Sequence, residues 1–142
     1  MRKKVPSDAM QTDAVNHLSI LVVDDDWAIS KLIKYNLEDK NTQVIEAATG
    51  LDCLKTIRET RVDLILLDIS LPDFHGWGIL NLLRLTESLR QIPVIIVSVE
   101  PPNEALIEQF KPNDYIQKPF DVRDLLARVK KVKEDSCLSV EP

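Results

Sequence analysis

Cysteine is scarce in this sequence: Cys53 and Cys137 are the only two. They match neither a CxxC metal pattern nor a disulfide framework, which excludes a stapled secreted scaffold and fits a reducing compartment. Cys53 is expected to be a small core residue. No apolar run reaches the roughly 20 residues that a membrane-spanning helix needs, and the basic opening MRKKVPSDAM is followed by no signal-peptide core. A cytoplasmic location without membrane attachment is expected. Positive charge is also short, with 18 Lys and Arg against 23 Asp and Glu and a net charge of −5. Nothing therefore draws the chain as a whole to a phosphate backbone, and direct nucleic-acid binding is not expected. The one basic cluster, Arg128, Lys130, Lys131 and Lys133, falls at the end of a predicted helix, where cations complement the macrodipole. Aromatics make up 5% of the chain, and no repeat or low-complexity tract interrupts it.

What is present is the material of one ordinary domain: 142 residues, 44% hydrophobic and 29% charged. Residues 1–17 are polar and aperiodic and read as a flexible leader, residues 18–133 as the domain, and residues 134–142 as a flexible tail. Within the domain, short apolar runs alternate with amphipathic segments, the pattern of βα units around a parallel sheet. Strands are predicted at SILVV (19–23), TQVIEA (42–47), VDLILLD (62–68), PVIIVSV (93–99) and YIQK (115–118). VDLILLD is almost uninterrupted in its apolarity, as in a central strand covered on both faces. Helical spacing follows each strand: Ile29 to Leu37 with Asp26 as N-cap, about Gly50 to Arg58, a leucine-rich stretch ending near Ser88, and residues 121–133. The fourth helix must be short, because Pro101, Pro102 and Pro112 fence it in.

The polar residues then fall at one kind of place. Asp24 and Asp25 follow the first strand, Asp68 ends the third, Ser98 lies near the end of the fourth, and Lys118 ends the fifth. The carboxyl ends of parallel strands lie along one edge of the sheet, where ligands bind. If the strand order is 2-1-3-4-5, the first and third strands are neighbours and the three carboxylates crowd together. Such a cluster repels itself unless something positive is present. A few hard oxygen ligands suit Mg²⁺ that keeps several waters and a substrate phosphate, and Lys118 adds a second cation. An oxygen of Asp68 can then attack phosphorus in line, giving an aspartyl phosphate, with Ser98 as a hydroxyl donor to the phosphoryl group.

The motifs ILVVDDD, LILLDISLPDFHG, VIIVS and DYIQKPF, in this order and each at a strand end, resemble those of the response-regulator receiver domains of two-component signalling over about residues 18–133. The resemblance implies a flavodoxin-like α/β (βα)5 fold, doubly wound with strand order 2-1-3-4-5. It implies Asp24 and Asp25 as Mg²⁺ ligands, Asp68 as phosphoacceptor and ligand, and the backbone carbonyl of Ser70 as a further ligand. Ser98 and Tyr115 would form the switch pair, Tyr115 turning inward as Ser98 moves toward phosphate. Lys118 would contact the phosphoryl group, through a residue whose bond to Pro119 is often cis in the family. The donor would be a phosphohistidine on a sensor histidine kinase or histidine phosphotransfer protein, and output would be protein contact by a signalling module that catalyses its own phosphorylation.

Three features depart from the family pattern. Val99 stands where a small residue usually follows the switch hydroxyl, Lys111 and Pro112 replace a Gly-Ala pair, and the connection from Ser98 to Lys118 is short. A pseudo-receiver that never accepts phosphate is therefore an alternative. A Mg²⁺-dependent phosphohydrolase with an aspartyl-phosphate intermediate is another, although its second Asp would fall at Ser70. His75 reads as a loop residue, and Trp27 and Trp77 as possible borders of the acidic pocket.

Overall fold

The computed structural model describes residues 17–140, with side chains as far as Ser136. The expected leader lies outside the described residues apart from His17, and so do the last two residues of the expected tail. Five strands, β1 (Leu18–Val23), β2 (Thr42–Ala47), β3 (Leu64–Leu67), β4 (Val94–Ser98) and β5 (Asp114–Gln117), alternate with five helices. The helices are α1 (Trp27–Leu37), α2 (Gly50–Glu59), α3 (Gly76–Leu85), α4 (Glu104–Phe110) and α5 (Val122–Val140). The strands form one parallel sheet in the order β2-β1-β3-β4-β5. This is the flavodoxin-like α/β arrangement expected.

The period of two along each strand builds two cores. Leu21, Val23, Ile65, Leu67 and Ile96 face α2 and α3, meeting Cys53, Ile57, Leu80 and Leu83. Their neighbours Ile20, Val22, Leu64, Leu66, Ile95 and Val97 face the other way, toward Ile33 of α1 and Leu125, Val129 and Val132 of α5. Because β3 and β4 are covered on both sides, every residue in them is buried and their sequences read as unbroken apolar runs.

Asp26 caps α1 as expected, accepting from the N–H groups of Ala28 and Ile29 at 3.0 and 3.3 Å. The fourth helix is indeed short. Asn103 caps its start, and Lys111 closes it in the left-handed region at φ 52°, ψ 60°. A glycine is the usual residue there, so Lys111 adopts the conformation for which the missing glycine would be suited.

Two helix ends differ from expectation. The third helix stops at Leu85 rather than near Ser88, because Thr86 donates its hydroxyl to the Leu82 carbonyl at 2.7 Å and its N–H to the Leu83 carbonyl, tightening the last turn. The last helix runs past Lys133 to Val140. The segment KEDSCLSV contains no Gly or Pro to stop it, and Lys131 pairs with Asp135 one turn on at 3.7 Å. Hydrophobic periodicity fades after Val132, so periodicity alone does not mark this helix end.

Candidate metal centre

Strand register brings the acids together. Val23 of β1 lies beside Leu67 of β3, so the next residues, Asp24 and Asp68, leave the sheet side by side, and the Asp68 N–H is held by the Val23 carbonyl at 2.9 Å. Asp24 and Asp68 are buried, at 4% and 5% exposure, while Asp25 is open to solvent. One carboxylate oxygen from each lies within 4.8 Å of the others, the one such group of acidic or metal-ligating residues among the described residues.

Lys118 enters from the far side of the sheet. Its N–H bonds the Ser98 carbonyl at 2.8 Å, and its Nζ reaches Asp24 Oδ2 at 2.6 Å and Asp68 Oδ2 at 3.1 Å. The Lys118–Pro119 peptide bond is cis. Burial drives the Asp24 carboxyl above its ordinary pKa, against the opposing effect of Lys118 and of the Asp26 N–H on Oδ1. Burial alone would lower Lys118, but its bonds to Asp24 and Asp68 outweigh that and hold it above the usual lysine value. One ammonium against three carboxylates still leaves two negative charges uncompensated at the sheet edge. A divalent cation with a taste for hard oxygen matches both the charge and the donor set, so the residues present fit Mg²⁺.

The remaining expected residues gather around this cluster. Ser70 donates its N–H to Asp68 Oδ1 at 3.0 Å and its hydroxyl to Glu100 Oε2 at 2.9 Å. Ser98 is fully buried, and its Oγ accepts the Glu100 N–H at 3.2 Å. Tyr115 is half-buried against the core and donates its hydroxyl to the Glu100 carbonyl at 2.7 Å. Glu100 therefore touches the loop after Asp68, the buried hydroxyl of β4 and the aromatic of β5 at once. The resemblance marks Ser70 and Glu100 as positions that tune the lifetime of the phosphorylated state in the family; their direct bond comes from pairing in space.

Gly76, the glycine that ends the LILLDISLPDFHG motif, makes a close backbone contact at the site. A Cβ there would stand 2.6 Å from Ile69 Cα and 2.7 Å from the Asp68 carbonyl oxygen, so only glycine lets the start of α3 press against the backbone of Asp68. The tryptophans are placed differently from each other. Trp27 is 73% exposed, one residue beyond the Asp26 cap. Trp77 is buried in the core, stacked on Phe110 and Tyr115 at 5.9 and 6.4 Å, so its link to the site is Tyr115 and not the pocket rim. His75 is an exposed loop residue at the N-cap of α3 and makes no side-chain cap bond. Val99 is 61% exposed beside Ser98. A cavity of about 640 Å³ opens at the opposite edge of the sheet among Leu18, Ile57, Val62 and Pro93, and holds none of the three acids. No helix among the described residues is long and apolar enough to cross a membrane.

Residues 20–130 match the family described as the response regulator receiver domain. A curated relative, the DNA-binding dual master transcriptional regulator RpaA of Synechocystis, is 37% identical over 78% of this chain and 47% of its own length. The chain thus spans about half the length of the curated relatives it matches. Among solved structures, a CheY-like receiver domain protein from Methanospirillum hungatei superposes with a TM-score of 0.79 at 30% identity, covering 87% of this chain and 98% of that one. The BeF3-activated receiver domain of DrrB, a Thermotoga maritima protein, superposes with a TM-score of 0.73 at 32% identity, covering 83% and 98%.

Proposed function

The chain belongs to the response regulator receiver family, and on that premise we propose that Asp68 accepts a phosphoryl group from a phosphohistidine in a Mg²⁺-dependent reaction. The observation that carries this reading is the meeting of Asp24, Asp25 and Asp68 within 4.8 Å, with the Lys118 ammonium bonded to two of them. Asp24, Asp25, Asp68 and the Ser70 carbonyl would hold the metal. When bound, Mg²⁺ supplies positive charge to the phosphoryl oxygens and lets them approach a carboxylate.

The chain's own residues do the rest. An oxygen of Asp68 attacks phosphorus in line, the P–N bond of the donor breaks, and its electron pair leaves with the imidazole. Lys118, already beside Asp68 Oδ2, turns its ammonium onto a phosphoryl oxygen. The Ser98 hydroxyl donates to another, which pulls β4 and the following loop toward the site. That shift breaks the Glu100 bond to Ser98 and frees the hydroxyl of Tyr115 to turn inward, changing the surface read by a partner protein. The donor is a sensor histidine kinase or a histidine phosphotransfer protein, and the module signals by contact and does not turn over small substrates. The BeF3-activated form of DrrB supports the reading by likeness.

The test is incubation with Mg²⁺ and a small phosphodonor, followed by mass spectrometry. Wild type should gain one phosphoryl group and Asp68→Asn none. No adduct on wild type would replace this reading by a receiver-like interaction module that is never phosphorylated; sustained release of phosphate from generic phosphoesters would replace it by a phosphohydrolase.

A further inference from the structure

Resting on the reading of Asp68 as a Mg²⁺-dependent phosphoacceptor, we infer that Asp73 is a positioning residue for the site: its carboxylate fastens the loop that carries Ser70 to the first turn of α2. Asp73 Oδ1 accepts the Gly50 N–H at 2.8 Å and Oδ2 accepts the Leu51 N–H at 3.0 Å. The first-turn N–H groups of a helix have no partners inside it. Here they are divided: Thr49 takes the Asp52 N–H through its side chain at 3.0 Å, and Asp73 takes the two before it from another part of the chain. A carboxylate is favoured at that end of the helix dipole as well.

The contact extends to the next residue. A Cβ on Gly50 would stand 2.6 Å from Phe74 Cδ2 and 2.9 Å from Phe74 Cβ, so Gly50 is where the loop lies flush against α2. At its other side the loop is tied to the phosphoacceptor strand. The Gly76 N–H bonds the Ile69 carbonyl at 2.8 Å, Ser70 pairs with His75 in an isolated bridge, and the Ser70 N–H holds Asp68 Oδ1 at 3.0 Å. Residues 69–75 are thus clamped between α2 and Asp68. Ile69 and Leu71 pack on the core, but Pro72, Asp73 and Phe74 are exposed, so the outer half of the loop has little core packing to replace the Asp73 bonds if they were lost.

A loop free to move must be ordered when the Ser70 carbonyl takes up a metal, and that ordering weakens binding. Asp73 acts in advance by keeping the loop in place. A residue that only capped α2 would act on stability and leave the metal site untouched.

Clash and relief separate the two. The full chain would be compared as wild type, Asp73→Asn, Asp73→Ala, Gly50→Ala and the Gly50→Ala/Phe74→Ala pair. Mg²⁺ affinity would be read by calorimetry, thermal stability by unfolding, and amide exchange over 69–75 in metal-free protein. Both Asp73 variants should bind Mg²⁺ about tenfold more weakly, the scale seen when a support of a metal ligand is removed, and exchange faster over the loop. Gly50→Ala should also weaken Mg²⁺ binding even though alanine favours the helix, and adding Phe74→Ala should recover part of the loss, because the 2.6 Å clash with Cδ2 goes while the 2.9 Å contact with Cβ stays. Lower stability with unchanged Mg²⁺ affinity and exchange would reduce Asp73 to a helix cap and overturn the inference alone. Wild type that binds no Mg²⁺ would overturn the site reading and the inference with it.

Discussion

Lys118 Nζ lies 2.6 Å from Asp24 Oδ2, although 94 positions separate them in the chain. The pair is almost closed to water, with side-chain exposures of 10% and 3%. An ion pair in such a place contributes little over an apolar pair, but removing one partner strands the other.

Lys118→Ala should therefore lower stability by about 3 kcal/mol in metal-free buffer. Mg²⁺ should recover part of the loss, because it replaces the missing positive charge. Denaturant unfolding with and without Mg²⁺ measures both, and a variant as stable as wild type without metal would contradict the role assigned to the ammonium.

Asp25 differs from its two neighbours in being exposed. Asp25→Asn removes one of three mutually repelling charges and should raise metal-free stability by up to about 1 kcal/mol, the range for solvated charge interactions. The same change should weaken Mg²⁺ binding, so calorimetry and unfolding should move in opposite directions.

Gly76→Ala places a methyl 2.6 Å from Ile69 Cα and 2.7 Å from the Asp68 carbonyl oxygen. Both contacts are backbone and cannot swing aside. A loss of about 1–3 kcal/mol is expected, as for other overpacked sites, together with slower phosphorylation of Asp68, read from the time course of the mass shift.

Lys111 holds φ at 52°, a region that costs an L-residue roughly 1 kcal/mol or more. Lys111→Gly should raise stability by about 1 kcal/mol, since glycine relieves the strain and only a solvated pair with Glu108 is lost. A drop in the unfolding midpoint would mean that the lysine stem contributes packing that outweighs its backbone cost.

Burial, with a smaller contribution from the Asp73 charge, pushes the Cys53 thiol up to about 12. At pH 8 the native protein should show no labelling of Cys53 by a thiolate-seeking reagent, and peptide mapping should find the label there only after unfolding. The thiol's raised folded pKa disfavours the thiolate in the fold, so unfolding is promoted as pH rises above the thiol's ordinary value of 9.0.

Much of this architecture is legible in the chain because its causes are local. VIIVS reads as a covered strand from its own residues, Asp26 reads as a cap from the helical pattern after it, and three prolines bound α4 on either side. Acids and Lys118 at strand ends could be placed on one edge as soon as the strands were parallel. By contrast, Trp77 looked like a border of the acidic pocket and is instead a core residue stacked under Tyr115, because which face of α3 is covered depends on α4 and β5 packing against it. The end of α5 is hidden for a simpler reason: the regular apolar spacing of Leu125, Val129 and Val132 does not continue through Lys133, Glu134, Asp135 and Ser136.

The alternation of strands and helices, and the chemistry available at each strand end, follow from side-chain type and short-range spacing and are set by the chain alone. The fold in three dimensions added the direct bonds of the Lys118 ammonium to Asp24 and Asp68, the hold of Asp73 on α2, and the contacts by which Glu100 joins Ser70, Ser98 and Tyr115. These contacts depend on sheet register and loop docking, which are set by the packing of distant segments and by no stretch of residues read alone.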